Sequence, residues 1–211
     1  MHDGLDSVLA RRLIPVVTLS DPESAIGVAD ALVRGGLPIA EITFRSDAAE
    51  QAIRTIASQT DVRVGAGTII DAGLVDQAAA AGATFIVTPG FSGPVVERCL
   101  EIGMPVIPGV GGATDIMSAL SYGLTVLKLF PAESLGGPQT VKALSAPFPR
   151  VRFVPTGGVT ATTAPRYLRI DSVAAVGGSW ITPAAAITGR RFEEIELLAA
   201  QAVAICTETE R

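Results

Sequence analysis

A single cation interrupts an otherwise apolar stretch of the chain. Lys128 lies in residues 124–133, Leu-Thr-Val-Leu-Lys-Leu-Phe-Pro-Ala-Glu. Thr125, Val126, Leu127 and Leu129 favour a strand, and Pro131 has no ladder donor, so the strand is expected to end close to the lysine. Burying an unpaired ammonium is costly, and a buried amine responds by giving up its proton. A neutral amine at the open end of a strand is the nucleophile that Schiff-base chemistry requires. The alternatives are a structural lysine paired with a carboxylate such as Glu133, or one whose head reaches solvent. The chain has one other lysine, Lys142, in the amphipathic pattern Gln-Thr-Val-Lys-Ala-Leu, which reads as a solvated surface charge. Amine catalysis from a lysine side chain therefore points to Lys128.

A second group follows from the two-residue period of a strand. In Glu-Ile-Thr-Phe-Arg, residues 41–45, Glu41 and Arg45 share one face. They are either an ion pair or a general acid/base beside a clamp for a carboxylate. Other chemistries are poorly supplied. The only histidine is His2, so neither a Ser-His nor a Cys-His nucleophile pair nor a histidine metal cluster can be assembled. Cys99 and Cys206 lack framework spacing and fall in helical patterns, as small buried hydrophobes do. The net charge of -5 and the absence of a Lys/Arg run argue against nucleic acid or an anionic membrane as partner. No signal-like start or membrane-length apolar run is present, and a cytoplasmic location is expected.

The elements that must position these residues alternate regularly. Residues 13–19 read as a buried strand. Asp21 with Pro22 opens a helix that runs to Arg34 and stops at Gly35-Gly36. The unit recurs with strands near 38–44, 62–66, 84–87, 105–108, 124–129, 151–154 and 172–176, and with helices opening near Asp47, Asp71, Ser92 and Thr114. Gly82, Gly103 and Gly123 stand where helices need a left-handed stop. Eight apolar strands at steps of about 20–27 residues describe an α/β chain folded as a (β/α)8 TIM barrel, with a short N-terminal helix. The expected organisation is one domain over 1–211: a helical extension at 1–12, a barrel core at 13–183 and a C-terminal helix at 184–211. A doubly wound sheet is the runner-up, but Gly109-Val-Gly-Gly-Ala-Thr114 lacks the third glycine of a dinucleotide loop.

In such a barrel the active site lies at the C-terminal mouth. Gly65-Ala-Gly67-Thr68 then offers room for a ligand near the axis and a hydroxyl. Pro89 with Phe91 forms either a wall of the site or merely a loop. The Gly157-Gly158 and Gly177-Gly178 turns follow strands seven and eight, where barrels commonly bind phosphate through backbone N–H groups. Trp180 reads as packing.

These motifs together resemble the class I family of 2-keto-3-deoxy-6-phosphogluconate (KDPG) and 4-hydroxy-2-oxoglutarate (KHG) aldolases. The resemblance spans about residues 13–183 and is most specific at 41–45, 65–68, 127–133, 155–159 and 177–180. It implies a metal-independent barrel without cofactor, usually a homotrimer, that cleaves the phosphorylated keto acid to pyruvate and glyceraldehyde 3-phosphate. It further implies Lys128 as Schiff-base lysine and Glu41 as acid/base. Arg45, Thr68 and Thr156 would hold the carboxylate, Pro89 and Phe130 would line the pocket, and Gly157, Gly158, Gly178 and Ser179 would take the phosphate. The chain departs from the family pattern at Thr18-Leu19-Ser20, where many members carry a basic residue, and at Ser46, where threonine is common. KHG and the galactonate-series epimer are the neighbouring substrates, with Arg45 favouring the gluconate side. A non-catalytic phospho-sugar sensor is the rival from another class, and a metal-dependent epimerase is disfavoured by the missing histidines.

Overall fold

The computed structural model describes residues 3–209; His2 lies outside them. Strands and helices alternate along the chain. β1 (Leu13–Val17), β2 (Ile39–Thr43) and β3 (Arg63–Gly67) are followed by α2 (Ser24–Arg34), α3 (Ala48–Gln59) and α4 (Ala72–Ala81). β4 (Ile86–Val87) leads to α5 (Gly93–Glu101). β5 (Val106–Ile107) and β6 (Gly109–Val110) precede α6 (Ala113–Ser121), and β7 (Val126–Leu129) precedes α7 (Pro138–Ser145). β8 (Arg152–Phe153), α8 (Ala164–Leu168), β9 (Val176–Gly178), α9 (Ala184–Thr188) and α10 (Phe192–Thr209) complete the order. α1 (Asp3–Leu9) precedes them all and sends Leu5, Val8 and Leu9 into the core.

All strand pairs are parallel. One sheet runs β5-β4-β3-β2-β1-β9 and a second runs β6-β7-β8. Parallel bridges join Phe153 to Val173 and Thr156 to Gly177, so β8 also neighbours the β9 segment. β1, β2 and β7 are buried along their whole length, on both faces, which is why they read as apolar runs. Tyr167, Phe85 and Phe153 are the largest fully buried side chains. Each such side chain contributes about 1.5–3 kcal/mol through burial.

Local signals are obeyed where they rest on backbone chemistry. Gly82, Gly103 and Gly123 adopt φ of 100°, 69° and 77° at helix ends. Asp71 accepts a hydrogen bond from the Leu74 N–H at 2.9 Å, and Asp21 accepts from Ser24 N–H at 2.9 Å. Asp47 departs from expectation: it sits in the right-handed helical region and its side chain makes no cap.

Three further differences follow from packing. Residues 109–110, read as part of a glycine loop, form β6, paired Gly109↔Lys128 and Val110↔Leu129. Pro108 interrupts the ladder between β5 and β6 because it has no N–H to donate. The eighth strand lies at 176–178 rather than 172–176, since the chain meets β1 only from Val176 onward. The single helix expected over 184–211 is two, α9 and α10, separated by residues 189–191, where Arg190 takes φ 50°.

Candidate active site

The Lys128 Nζ atom lies 3.3 Å from Glu41 Oε1, with the two side chains 6% and 2% exposed. β7 delivers the lysine: all four of its residues are buried, and Lys128 N–H donates to the Pro108 carbonyl at 2.9 Å. β2 delivers the acid, held in register between Val16 of β1 and Gly65 of β3. Glu133, the alternative partner, is engaged elsewhere, accepting from the Tyr167 hydroxyl at 2.7 Å. Burial, and then that hydrogen bond, push the Tyr167 phenol up, so it stays a donor. Lys142 is exposed on α7, as its amphipathic pattern implies.

The carboxylate of Glu41 has a seat made for it. A Cβ at Gly67 would stand 2.2 Å from Oε1 and 2.6 Å from Cγ, and one at Gly65 would stand 2.4 Å from the Phe85 ring. The space these glycines leave is therefore filled by the Glu41 and Phe85 side chains, not held open for a ligand as the sequence suggested. The missing side chain at Gly67 is what lets Glu41 reach across β3 toward the lysine.

Arg45 and Glu41 do not pair. Arg45 is exposed just beyond β2, and its Nε donates to Thr68 Oγ1 at 3.3 Å. Thr68 holds φ 61°, a left-handed conformation unfavourable for a β-branched residue. An arginine and a hydroxyl placed together at the ends of β2 and β3 can receive a carboxylate with charge-assisted hydrogen bonds.

Phe130 closes another side of the lysine, its ring centroid 5.2 Å from Nζ. A Cβ on Gly157 would lie 3.0 Å from that ring, and one on Gly158 would lie 2.8 Å from Glu133 Cβ. Both glycines are left-handed, φ 95° and 80°, a pair of consecutive conformations that L side chains disfavour. Pro89 is half-buried on the far side. Thr88, the residue before it, takes the Gly109 N–H on its hydroxyl at 2.9 Å, and Gly109 is the register partner of Lys128. Thr156 is buried against Gly177, where a Cβ would meet its Oγ1 at 2.3 Å.

Beyond Gly158 opens a cavity of about 470 Å³, lined among others by Thr18, Gly158, Thr160, Ser179, Trp180 and Thr182. None of its lining residues is a cation. Thr18 Oγ1 meets Thr43 Oγ1 at 2.8 Å, so the position offers a hydroxyl and no charge. The Trp180 ring lies so close to Gly178 that a Cβ there would overlap it. Trp180 thus walls the cavity as well as packing; its neighbour Gly178 in the sequence was the signal for this, but the cavity itself is formed by three separated segments. Among the described residues no group of three or more His, Cys, Asp or Glu side chains converges as a metal site, and no helix is long and apolar enough to cross a membrane.

The chain is similar to known proteins along most of its length. The family model described as KDPG and KHG aldolase matches residues 5–198. A 2-dehydro-3-deoxy-phosphogluconate aldolase of Treponema pallidum is 45% identical over 195 residues, covering 92% of this chain and 93% of that protein. The solved 2-keto-3-deoxy-6-phosphogluconate aldolase of Zymomonas mobilis ZM4 with 3-phosphoglycerate superposes with a TM-score of 0.90 at 39% identity, over 97% of each chain. A KDPG aldolase of Legionella pneumophila, with pyruvate captured as a covalent carbinolamine intermediate, superposes with a TM-score of 0.89 at 37% identity, covering 92% of this chain and 95% of that one. With a buried lysine–glutamate pair joining β7 to β2 and this similarity along nearly its whole length, the chain belongs to the KDPG and KHG aldolase family.

Proposed function

We propose that the protein is a class I aldolase that cleaves 2-keto-3-deoxy-6-phosphogluconate to pyruvate and glyceraldehyde 3-phosphate without a metal or other cofactor. The observation that carries this reading is the buried 3.3 Å contact between Lys128 and Glu41. The acid stands within proton-transfer reach of the amine.

The neutral amine adds to the C2 ketone, and Glu41 gives and takes the protons as the carbinolamine loses water to a protonated imine. That cation is the electron sink. Glu41, again a carboxylate, removes the C4 hydroxyl proton; the C3–C4 bond breaks, its electron pair forms the enamine, and the aldehyde leaves. Protonation at C3 and hydrolysis of the imine then release pyruvate and restore the amine. Arg45, Thr68 and Thr156 serve the keto acid's carboxylate, Pro89 and Phe130 bound the pocket, and Gly157, Gly158, Gly178 and Ser179 take the phosphate. The cation-free lining of the adjoining cavity implies that backbone N–H groups and hydroxyls carry the phosphate contacts.

The same reading takes the two sheets as one closed eight-stranded barrel in a single domain, with β5 and β6 as one strand interrupted at Pro108 and the bridges at Thr156 and Phe153 closing the circle. It takes the working form as a cytoplasmic homotrimer, on the family's pattern. The test is a coupled assay of pyruvate release in the presence of a chelator, with the gluconate and galactonate epimers in competition. Chelator-insensitive turnover with a larger kcat/KM for the gluconate epimer is expected. Dependence on an added divalent metal, or no cleavage by the folded protein, would overturn the reading.

A further inference from the structure

A second depression, of about 290 Å³, lies on the outer surface between α7 and the end of α8, lined by Pro138, Gln139, Lys142, Arg166, Arg169 and Ile170. Three of its six lining residues are cations, in a chain with 16 Lys/Arg against 21 Asp/Glu. Each of the three is exposed. Four other surface arginines find acids, Arg34 with Glu196, Arg54 with Glu50, Arg98 with Asp76 and Glu101, and Arg191 with Glu194, whereas Arg11, Arg150 and Arg190 are exposed singly without an ion pair among the described residues. Among the described residues Lys142, Arg166 and Arg169 form no ion pair within 4.0 Å. Three exposed cations lining one hollow give it a positive potential that attracts an anion.

Helix ends account for single cations here, since Lys142 stands in the last turn of α7 and Arg166 in the last turn of α8. They do not account for convergence on one hollow, with the Gln139 amide beside the cations and Pro138 and Ile170 as an apolar floor. Two guanidinium forks and an ammonium around a small concave surface match phosphate oxygens, and the floor suits a short carbon skeleton. We propose that this hollow is an anion site for a small phosphorylated metabolite, separate from the Lys128 site and independent of the reading of that site.

Titration with inorganic pyrophosphate at low ionic strength, followed by calorimetry, tests it. The intact protein is compared with Lys142→Gln/Arg166→Gln/Arg169→Gln and with Arg11→Gln/Arg34→Gln/Arg54→Gln, which removes the same charge elsewhere on the surface. The hollow's triple variant is expected to bind tenfold or more weakly, about what two exposed charge contacts supply, with the KM for the keto acid unchanged. The control variant is expected to bind as the intact protein does. Equal weakening in both variants, or no saturable binding by the intact protein beyond that shared with the hollow's variant, would overturn the proposal.

Discussion

Lys128 Nζ and Glu41 Oε1 meet 3.3 Å apart in the interior although 87 positions separate them in the chain. Either charge alone would be costly there, and each supplies what the other needs. Loss of the acid should leave a slow enzyme, because acid/base assistance is worth about 10²- to 10⁴-fold. Glu41→Gln is therefore expected to lower kcat by that range, and Lys128→Ala to nearly abolish turnover, in steady-state assays. Mild and equal losses would contradict the assignment.

The pair should also govern stability. Removing one member of a buried ion pair costs about 3–5 kcal/mol, whereas replacing both by well-packed hydrophobic residues of similar volume is often neutral or favourable. In urea unfolding, Lys128→Met is expected to be destabilised, and the Lys128→Met/Glu41→Leu double variant to recover most of the loss. An additive double variant would argue against direct coupling.

Gly67 is expected to act through Glu41. An added methyl would overlap the carboxylate, so Gly67→Ala should lower kcat by about 10²-fold with a smaller change in KM. Adding Glu41→Gln to Gly67→Ala should then cost little more. Fully multiplicative effects in a double-mutant cycle would separate the two residues.

Thr68 holds a backbone conformation that costs a non-glycine residue about 1–3 kcal/mol. Thr68→Gly should raise the urea midpoint slightly while raising the KM for the keto acid, because the hydroxyl that meets Arg45 is lost. Unchanged KM would remove Thr68 from the carboxylate site.

Burial pushes the Cys99 thiol up to about 12 from its ordinary value of 9.0. Below pH 9.0 both folded and unfolded chains keep the proton and nothing changes. Above it the unfolded chain ionises first, so this thiol lowers stability as pH rises from 9.0 toward about 12. Cys99→Ala should flatten the alkaline limb of Tm against pH. Iodoacetamide at pH 8 should leave Cys99 unmodified in the folded protein and label it after denaturation, as read by peptide mass spectrometry.

The sequence made legible what depends on local chemistry. Left-handed glycines ended helices where expected, Asp71 capped its helix, and apolar runs became buried strands. Lys128 and Glu41 stood out because a charge in an apolar strand has few reasons to be there. What was hidden depends on neighbours distant in the chain. No local pattern tells that Gly67 yields to Glu41 rather than to a ligand, or that Trp180 folds back on Gly178 to wall a cavity. The strand at 105–108 was legible, but only the pairing of Gly109 with Lys128 reveals that it resumes beyond Pro108.

The most direct test is incubation with pyruvate and borohydride, followed by peptide mass spectrometry. The chain offers two lysines and an N-terminal amine, so the adduct's position is nearly a binary answer. A reduced pyruvyl adduct on Lys128, absent without pyruvate and absent in Lys128→Ala, is the expected result. No adduct at Lys128 in the folded protein would contradict the Schiff-base account and leave a barrel that binds its phosphorylated ligand without cleaving it.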